Sequence, residues 1–294
     1  MNNILENYIL EVKNLSKIYK GNKGIKEVSF KLKENTVLGI IGLNGAGKST
    51  LISTLTGFCG HTGDITYNFD GKIYTKPDHN VKNNLGIVYS DYGYPSHFTA
   101  IIVDRIMKRT YDNWDSNCFF EIIDLLELEK KLVVKKYSTG MHTKLAIAIA
   151  MSHGAKLLVL DEATRGLDIK ATSRVRSLLH NHMSQTGNSI ILTSHIIGEI
   201  EKLSDEIMLI EQGQVKFVEN KDNLIHQNQI FNLTNEQLDS IDKTYIKKIQ
   251  KTSQNISLIA NDVKSFASKY NIDPSETTLE RVMEILLEGE TANG

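Results

Sequence analysis

Residues 37–49 read Val-Leu-Gly-Ile-Ile-Gly-Leu-Asn-Gly-Ala-Gly-Lys-Ser, and this stretch decides the fold. The first five residues form an apolar run bounded by turn-forming residues, which predicts a strand buried on both faces. Residues 42–49 match the phosphate-binding loop pattern G-x-x-x-x-G-K-[ST] at every position. Residues 49–55 can continue as a helix, so phosphate groups would meet free amides at a helix N-terminus. This order of strand, loop and helix argues against a glycine-rich turn that arose by chance.

Each residue type in such a loop has a physical role. Gly42, Gly45 and Gly47 let backbone amides approach phosphate oxygens, because a Cβ would clash or forbid the required φ. Lys48 supplies a mobile cation to the β- and γ-phosphates, and the Ser49 hydroxyl is a hard oxygen ligand suited to Mg²⁺. The predicted nucleotide-binding residues of this segment are Asn44, Gly45, Ala46, Gly47, Lys48, Ser49 and Thr50.

A second apolar run, residues 157–160, ends in the two acids Asp161 and Glu162. A phosphate-loop ATPase holds its metal-associated aspartate at such a strand end, so Asp161 is predicted to anchor Mg²⁺ through water. Glu162 would stand beside the attacking water as a general base or a positioning group. Two adjacent acids could instead form a solvated turn, but the phosphate loop in the same chain favours the catalytic interpretation.

Further motifs carry a family resemblance. Residues 137–141, Tyr-Ser-Thr-Gly-Met, open a predicted helix 20 residues before Asp161 and resemble the signature loop of the ABC ATPases. Residues 163–168 resemble the D-loop of that family, and His195 resembles its switch histidine. Tyr19 lies where the family places an aromatic ring against adenine. His195 alone could be a polar strand end and Tyr19 alone a packing residue, but the order of these elements identifies the chain as a member of the family.

The resemblance implies a head-to-tail dimer that binds ATP and Mg²⁺ between two subunits. Ser138 and the Gly140 amide would bind the γ-phosphate of the nucleotide held by the other subunit. His195 would contact the γ-phosphate within its own subunit, and Asp168 would bridge the two sites. The expected catalytic residues are therefore Lys48, Glu162 and His195.

The sequence also departs from the family pattern. In the signature segment Ser138 and Gly140 are retained, whereas Thr139 and Met141 do not match. The segment 86–92 has no glutamine where the family uses one to touch Mg²⁺ and to couple to the membrane subunit. By spacing, Ser90 takes that place and joins Ser49 and Asp161 as a predicted metal-contacting residue, and whether Ser90 or the adjacent Asp91 replaces the glutamine stays open.

Two departures near the catalytic strand point to a branch of the family. Ala163 and Arg165 stand where the family commonly has proline and serine. At these two positions the sequence resembles the drug and peptide exporters of Gram-positive bacteria, including exporters of amphipathic antimicrobial or toxin peptides.

The predicted fold class is α/β, with a P-loop ATPase core, an antiparallel β subdomain, a helical insertion and a small C-terminal α/β appendage. Strands at 8–12 and 28–32 belong to the β subdomain, and helical periodicity marks the insertion at about 96–154. Residues 1–221 are predicted as the nucleotide-binding domain and 222–294 as the C-terminal domain. The latter has strands at 230–233 and 256–260, followed by helices around 263–270 and 279–286.

Composition excludes several function classes. The 294 residues carry 34 basic and 35 acidic side chains, and this balance gives no drive toward nucleic acid. The apolar runs are far short of the roughly 20 residues that cross a bilayer, and no secretory signal begins the chain. We therefore expect a cytoplasmic protein at the inner face of the cell membrane. Cys59 and Cys118 are expected in the core, and the remaining histidines, including the pair His180 and His182, are expected on the surface or on helices.

The best functional hypothesis is an exporter subunit that powers the export of a drug, peptide or other amphipathic substrate. It would pair with a second nucleotide-binding subunit, identical or different, and with a separate transmembrane permease docked near 92–98 and the helical insertion. A rival is a soluble ABC ATPase of ribosomes or DNA, which one phosphate loop and only 90 residues between Lys48 and Ser138 disfavour. A nucleotide-binding scaffold without turnover is disfavoured because Lys48, Asp161, Glu162 and His195 are all present.

Overall fold

A computed structural model describes residues 8–90, 93–252 and 255–291 of the protein. The strands are, in chain order, β1 (Tyr8–Ile18), β2 (Gly24–Lys33), β3 (Val37–Ile41), β4 (Thr62–Phe69), β5 (Lys72–Tyr74), β6 (Leu85–Val88), β7 (Leu157–Asp161), β8 (Ser189–Thr193), β9 (Glu206–Glu211), β10 (Gln214–Asn220), β11 (Ile230–Leu233), β12 (Ile246–Lys251) and β13 (Ile256–Ala260). The helices are α1 (Lys48–Leu55), α2 (His79–Asn83), α3 (Ala100–Thr110), α4 (Ser116–Leu125), α5 (Thr139–Met151), α6 (Ile169–Met183), α7 (Ile197–Leu203), α8 (Lys221–Gln227), α9 (Asn235–Ser240), α10 (Val263–Tyr270) and α11 (Leu279–Glu288). No helix within the described ranges is both long and apolar enough to cross a bilayer.

A six-stranded sheet in the order β10-β9-β3-β8-β7-β6 positions the predicted site. The pairs β9–β3, β3–β8, β8–β7 and β7–β6 are parallel. All residues of β3, β7 and β8 are buried, as expected for strands covered on both faces. Because parallel strands end at the same edge, the loops that follow β3, β6, β7 and β8 lie side by side.

A second, antiparallel sheet in the order β2-β1-β4-β5 shares one hydrophobic core with the first. Side chains such as Ile9 of β1, Ile40 of β3 and Leu51 of α1 are almost fully buried in that core. Burying an aliphatic side chain stabilises the fold by roughly 1.5–3 kcal/mol. The core therefore fixes both ends of the loop between β3 and α1.

Helix α5 packs directly against β6. Its residues 145–150 are all buried, which explains why the helix is apolar on nearly every side. A Cβ at Gly86 would lie 2.3 Å from the Ala150 carbonyl oxygen, so glycine is needed for this close approach. Helices α3, α4 and α5 all lie within the range predicted to be helical.

The chain divides into two compact units. The first comprises the residues up to Ile196 together with Leu203–Val218. The second comprises Ile197–Lys202 together with the residues from Glu219 onward. The second unit has an antiparallel sheet in the order β11-β13-β12. In its core the rings of Phe231 and Phe266 lie 4.5 Å apart, and Val282 and Ile285 of α11 are buried. The sequence-based boundary at residue 221 stays a prediction.

The fold class is confirmed: the structure is a mixed α/β fold with a parallel and an antiparallel sheet. Strands β3, β11 and β13 have the predicted bounds, whereas β1 and β2 extend beyond them. The pairing of β1 with β2 is interrupted by irregularities, and these break the alternating pattern on which the shorter prediction rested.

Two expectations about burial were wrong. Cys59 and Cys118 are half-buried free thiols and not core residues. His153 follows the end of α5 and is only 1% exposed, so it lies neither on the surface nor on a helix. His182 lies on α6, as expected, although only 8% of it is exposed. Burial lowers the pKa of both imidazoles.

Candidate functional site

The loop 42–47 leaves the end of β3 and enters α1, as the sequence predicted. Gly45 has φ 81° with open space around its Cα, so its backbone faces outward without strain. Gly42 is needed for packing, because a Cβ there would lie 2.4 Å from the Ile210 carbonyl oxygen. Helix α1 has no acidic residue in its first turn, which keeps the positive end of its dipole available to an anion.

The turn between β9 and β10 supports this loop from one side. The Gly213 amide donates to the Ala46 carbonyl oxygen over 2.9 Å, and the Lys26 amide donates to the Gly213 carbonyl oxygen over 2.8 Å. Gly47 has φ 111°, and a Cβ on it would lie 2.8 Å from the Gly24 carbonyl oxygen. The glycines thus allow three backbone segments to meet, a requirement that the loop pattern alone does not reveal.

Lys48 lies over the loop. Its Nζ donates to the carbonyl oxygens of Gly42, over 2.6 Å, and of Leu43, over 3.2 Å. Burial lowers the pKa of the amine, and the carboxylates of Asp161 and Glu162 oppose that shift. The electrostatic influence of both acids on Lys48 means that the phosphate loop and the acidic strand end form one site.

Asp161 ends β7 and is 3% exposed. Its Oδ1 accepts a hydrogen bond from Thr193 Oγ1 over 2.6 Å, and its Oδ2 accepts one from Ser90 Oγ over 3.0 Å. Asp161 is opposite Thr193 in the β7–β8 ladder, and Ser90 follows β6 on the other side of β7. The two neighbouring strand ends therefore fix the orientation of this carboxylate.

Glu162 directly follows the strand and has φ 55°, in the left-handed region that non-glycine residues rarely adopt. Its amide donates to the Thr193 carbonyl oxygen over 3.1 Å, which holds the turn. Its side chain is about a quarter exposed, with Oε1 3.3 Å from His195 Nδ1. With Nδ1 turned toward Glu162, the Nε2 atom of His195 points away from that carboxylate.

The segment 137–141 forms the start of α5. The Ser138 Oγ accepts a hydrogen bond from the Met141 amide over 3.3 Å, so Ser138 is the N-cap of the helix. Capping uses an oxygen lone pair and leaves the hydroxyl proton able to donate to an anion. A Cβ at Gly140 would lie 2.2 Å from the Gly166 carbonyl oxygen, so glycine lets the helix start pack on the loop after β7.

Two more predicted residues lie at the ends of elements. Asp168 caps α6, its Oδ1 accepting from the Ala171 amide over 2.7 Å. Tyr19 follows β1, is 46% exposed, and has the Lys17 Nζ 5.1 Å from its ring centroid. A hydrogen bond with the Cys59 side chain, together with burial, raises the pKa of the Tyr19 hydroxyl. Because 46% of Tyr19 is exposed, its ring is open to stacking.

Comparison with known proteins decides the family. The ABC transporter family model matches residues 25–165. The bacitracin transport ATP-binding protein BcrA of Bacillus licheniformis is 31% identical over 209 residues, which cover 70% of this chain and 68% of BcrA. The chain belongs to the ABC transporter family. It is an ATP-binding subunit of that family, whose members couple ATP hydrolysis to transport.

Other ABC proteins match over different lengths. The linearmycin resistance ATP-binding protein LnrL of Bacillus subtilis is 29% identical over 295 residues, covering 97% of this chain and 91% of LnrL. The lantibiotic transport ATP-binding protein SrtF of Streptococcus pyogenes is 29% identical and covers 76% of this chain and 96% of SrtF. The match with LnrL therefore includes the region after the ATP-binding core.

Solved structures support the fold. An ATP-binding subunit of an ABC transporter superposes with a TM-score of 0.66 and 24% identity, over 74% of this chain and 92% of that structure. A dimeric ATP-binding cassette in a post-hydrolysis state, bound to ADP and Pi, superposes with a TM-score of 0.62 and 22% identity, over 72% of this chain and 98% of that structure. At these identities the likeness concerns the fold alone.

The structure brings some of the residues predicted from the ABC motifs together and not others. The loop 42–49, Ser90, Asp161, Glu162 and His195 converge at the carboxyl edge of the parallel sheet. The contacts of Ser138 and Gly140 run instead to their own helix and to Gly166. Asp91, the alternative to Ser90, lies outside the described residues, as does Tyr92 at the start of the predicted docking segment.

Sequence reasoning missed three residues that contact the site. Thr193 bonds to Asp161, Arg165 lies 3.8 Å from Glu162 between Nε and Oε2, and Thr143 Oγ1 donates to the Arg165 carbonyl oxygen over 2.9 Å. The position of Thr193 at the end of the strand before His195 was a usable signal. No local sequence pattern predicts the contact made by Thr143, because its hydrogen-bond partner, Arg165, lies 22 residues later in the chain.

Proposed function

We propose that this ABC subunit binds and hydrolyses ATP to power the export of a drug, peptide or other amphipathic substrate through a separate membrane subunit. The observation that carries the proposal is the convergence of Lys48, Asp161, Glu162 and His195 at one edge of the sheet. A cation, a buried carboxylate, a partly exposed carboxylate and an imidazole can together support phosphoryl transfer to water.

In this proposal the loop amides and Lys48 hold the phosphates. Lys48 would exchange its bonds to the Gly42 and Leu43 carbonyl oxygens for bonds to phosphate oxygens. The exchange is favourable, because a charge-assisted bond between ammonium and phosphate is stronger than a bond to a neutral carbonyl. The ring of Tyr19 would stack on adenine, with Lys17 on the tyrosine as a second partner.

Glu162 would take the proton of the attacking water. Its carboxylate is accessible enough to meet water, since 24% of the side chain is exposed, and His195 orients one of its oxygens. The Nε2 atom of His195 would face the γ-phosphate, so the imidazole links the base to the group being transferred. The backbone of Glu162 is left-handed, and its side chain is more exposed than the buried strand that precedes it.

The donor set fits Mg²⁺. Ser49, Ser90 and Asp161 offer hydroxyl and carboxylate oxygens, which are the hard ligands that this ion prefers. The two hydrogen bonds received by Asp161 come from hydroxyl groups, and its carboxylate interacts electrostatically with the Lys48 amine. When bound, Mg²⁺ would neutralise charge on the β- and γ-phosphates.

The second half of each site would come from another subunit. Ser138 can donate its hydroxyl proton while it caps α5, and the free amides at that helix start favour an anion. Three apolar side chains next to the site loops are exposed: Leu43 at 56%, Ile169 at 89% and Ile196 at 48%. A second copy of the chain, packed head to tail with Asp168 at the interface, would cover them.

The membrane partner and the cargo are inferred from relatives. BcrA and SrtF carry names that refer to bacitracin and lantibiotic transport, and LnrL a name that refers to linearmycin resistance. Such relatives are consistent with peptide or drug export, which favours an amphipathic substrate. The subunit would work at the inner face of the cell membrane, bound to a permease.

Steady-state ATP hydrolysis tests the catalytic part of the proposal. We expect Lys48→Ala to abolish turnover, and Glu162→Gln to lower kcat by about 100-fold or more while ATP still binds, because a missing general base affects chemistry and not binding. Lys72→Ala, which alters an exposed lysine of β5, is the control with wild-type rates. A Glu162→Gln variant that hydrolyses like wild type would contradict the assignment.

A further inference from the structure

Arg165 contacts the proposed catalytic base. Its Nε lies 3.8 Å from Glu162 Oε2, and its backbone amide donates to the Glu162 carbonyl oxygen over 3.0 Å. The other carboxylate oxygen of Glu162 faces His195 Nδ1 at 3.3 Å. The two oxygens of Glu162 thus have different cationic or donor partners, one on each side.

The backbone of Arg165 is held by the start of α5. Thr143 Oγ1 donates to the Arg165 carbonyl oxygen over 2.9 Å, and Gly140 packs on the next residue, Gly166, so closely that a Cβ would reach within 2.2 Å of its carbonyl oxygen. The position from which Arg165 reaches Glu162 is therefore set by the same helix start that carries Ser138. Arg165 therefore connects Glu162, the proposed catalytic base, to the signature segment at the start of α5.

We propose that Arg165 is a positioning residue that orients the Glu162 carboxylate and ties this orientation to the start of α5. This role rests on the proposed function of Glu162. A glutamate side chain has three rotatable bonds, so a carboxylate held from one side only would sample orientations that do not face the attacking water. Contacts to both oxygens reduce those orientations.

The size of the effect follows from the exposure of the pair. The Arg165 side chain is 51% exposed and its distance to the carboxylate is long for an ion pair, so solvent screens the attraction. We therefore expect a loss of about fivefold in kcat, the upper end for a pair in such surroundings. ATP affinity should not change, because Arg165 acts through Glu162 and not through the nucleotide.

Steady-state hydrolysis and equilibrium binding of a fluorescent ATP analogue test this role in the full-length protein. Arg165→Ala should lower kcat with unchanged KM and analogue affinity, and Arg165→Lys should lie between it and wild type, because lysine keeps the charge and loses the guanidinium geometry. Arg174→Ala is the matched control, since Arg174 pairs with Glu127 and does not contact Glu162. It should hydrolyse ATP like wild type.

A double-mutant cycle separates positioning from general loosening of the fold. In a Glu162→Gln background, Arg165→Ala should cause no further loss of the residual rate, because the group that it positions has gone. A further fivefold loss there, a wild-type or raised kcat in Arg165→Ala, or a parallel loss of analogue affinity would overturn the role. Wild-type protein that hydrolyses no ATP would instead overturn the proposed function itself.

Discussion

At the residue scale, the site is made of common residue types, and the ends of neighbouring strands set the orientation of their side chains. Asp161 could be predicted because two acids directly follow an apolar strand. Its partners could not, because the hydrogen bond from Thr193 depends on which strands are neighbours and on their register. The chemistry of the site was therefore readable from local sequence, and its geometry was not.

His182 shows the same limit for burial. In the sequence it belongs to a polar stretch with His180, yet the structure buries it while His180 is exposed. Burial lowers its pKa from 6.5 to about 4, and the nearby Lys156 adds to this shift. Helical periodicity alone did not reveal which of the two histidines would face inward.

This burial predicts a pH dependence of stability. Below pH 6.5 the unfolded chain binds a proton at residue 182, whereas the folded protein does not until about pH 4. The free energy of unfolding should therefore fall as the pH is lowered through this window, with a contribution from His182 on the order of 2 kcal/mol. Urea unfolding at pH 7 and pH 5 measures it.

Matched variants isolate the histidine. His182→Gln should be less stable at pH 7 but lose less stability on going to pH 5 than wild type, whereas His180→Gln should follow wild type. His153 and the carboxylates contribute equally to all three proteins, so they cancel in the comparison. Equal pH dependence in His182→Gln and wild type would show that this residue is not held neutral by the fold.

At the element scale, apolar runs predicted strands well. Strands β3, β7 and β8 each contain an apolar run of three to five residues, which is typical of parallel strands covered on both faces. Strand β12 was missed because its sequence, Ile-Lys-Lys-Ile-Gln-Lys, has three lysines. It forms because it pairs with β13 and buries only Ile246 and Ile249, a pattern suited to an edge strand.

The contact between α5 and β6 gives an element-scale prediction. Gly86→Ala would place a Cβ 2.3 Å from the Ala150 carbonyl oxygen, which is backbone and cannot move aside cheaply. We expect a loss of about 2–3 kcal/mol in the free energy of unfolding. Urea or thermal unfolding with a tertiary-structure probe, such as Trp114 fluorescence, measures the change.

Gly60→Ala is the control for this substitution. No atom lies within 4 Å of the place where a Cβ would be added, so the variant should stay within about 0.5 kcal/mol of wild type. If Gly86→Ala were as stable as Gly60→Ala, the close packing of α5 on β6 would be incorrect. Since β6 leads to Ser90 and Ser138 caps the start of α5, that packing also links the two parts of the proposed site.

At the scale of the whole molecule, we propose that one chain supplies two half-sites, which Arg165 and Gly166 connect and which bind different nucleotides. The phosphate loop, Asp161, Glu162 and His195 converge, whereas Ser138 and Gly140 contact the loop around Gly166. The sequence indicated this arrangement only through the family resemblance, because no local pattern states that a site is completed by another chain. The exposed side chains of Leu43, Ile169 and Ile196 are what a covering partner would bury.

The mass of Glu162→Gln in solution tests the composite site most directly, by light scattering after size exclusion with and without ATP and Mg²⁺. We predict 33.1 kDa without nucleotide and twice that mass with it, because unhydrolysed ATP would hold two copies together. Adding Ser138→Asp, which would place a negative charge against the γ-phosphate, should abolish the dimer while ATP still binds. A monomer that binds ATP yet never dimerises, or a Ser138→Asp protein that dimerises equally well, would contradict the account.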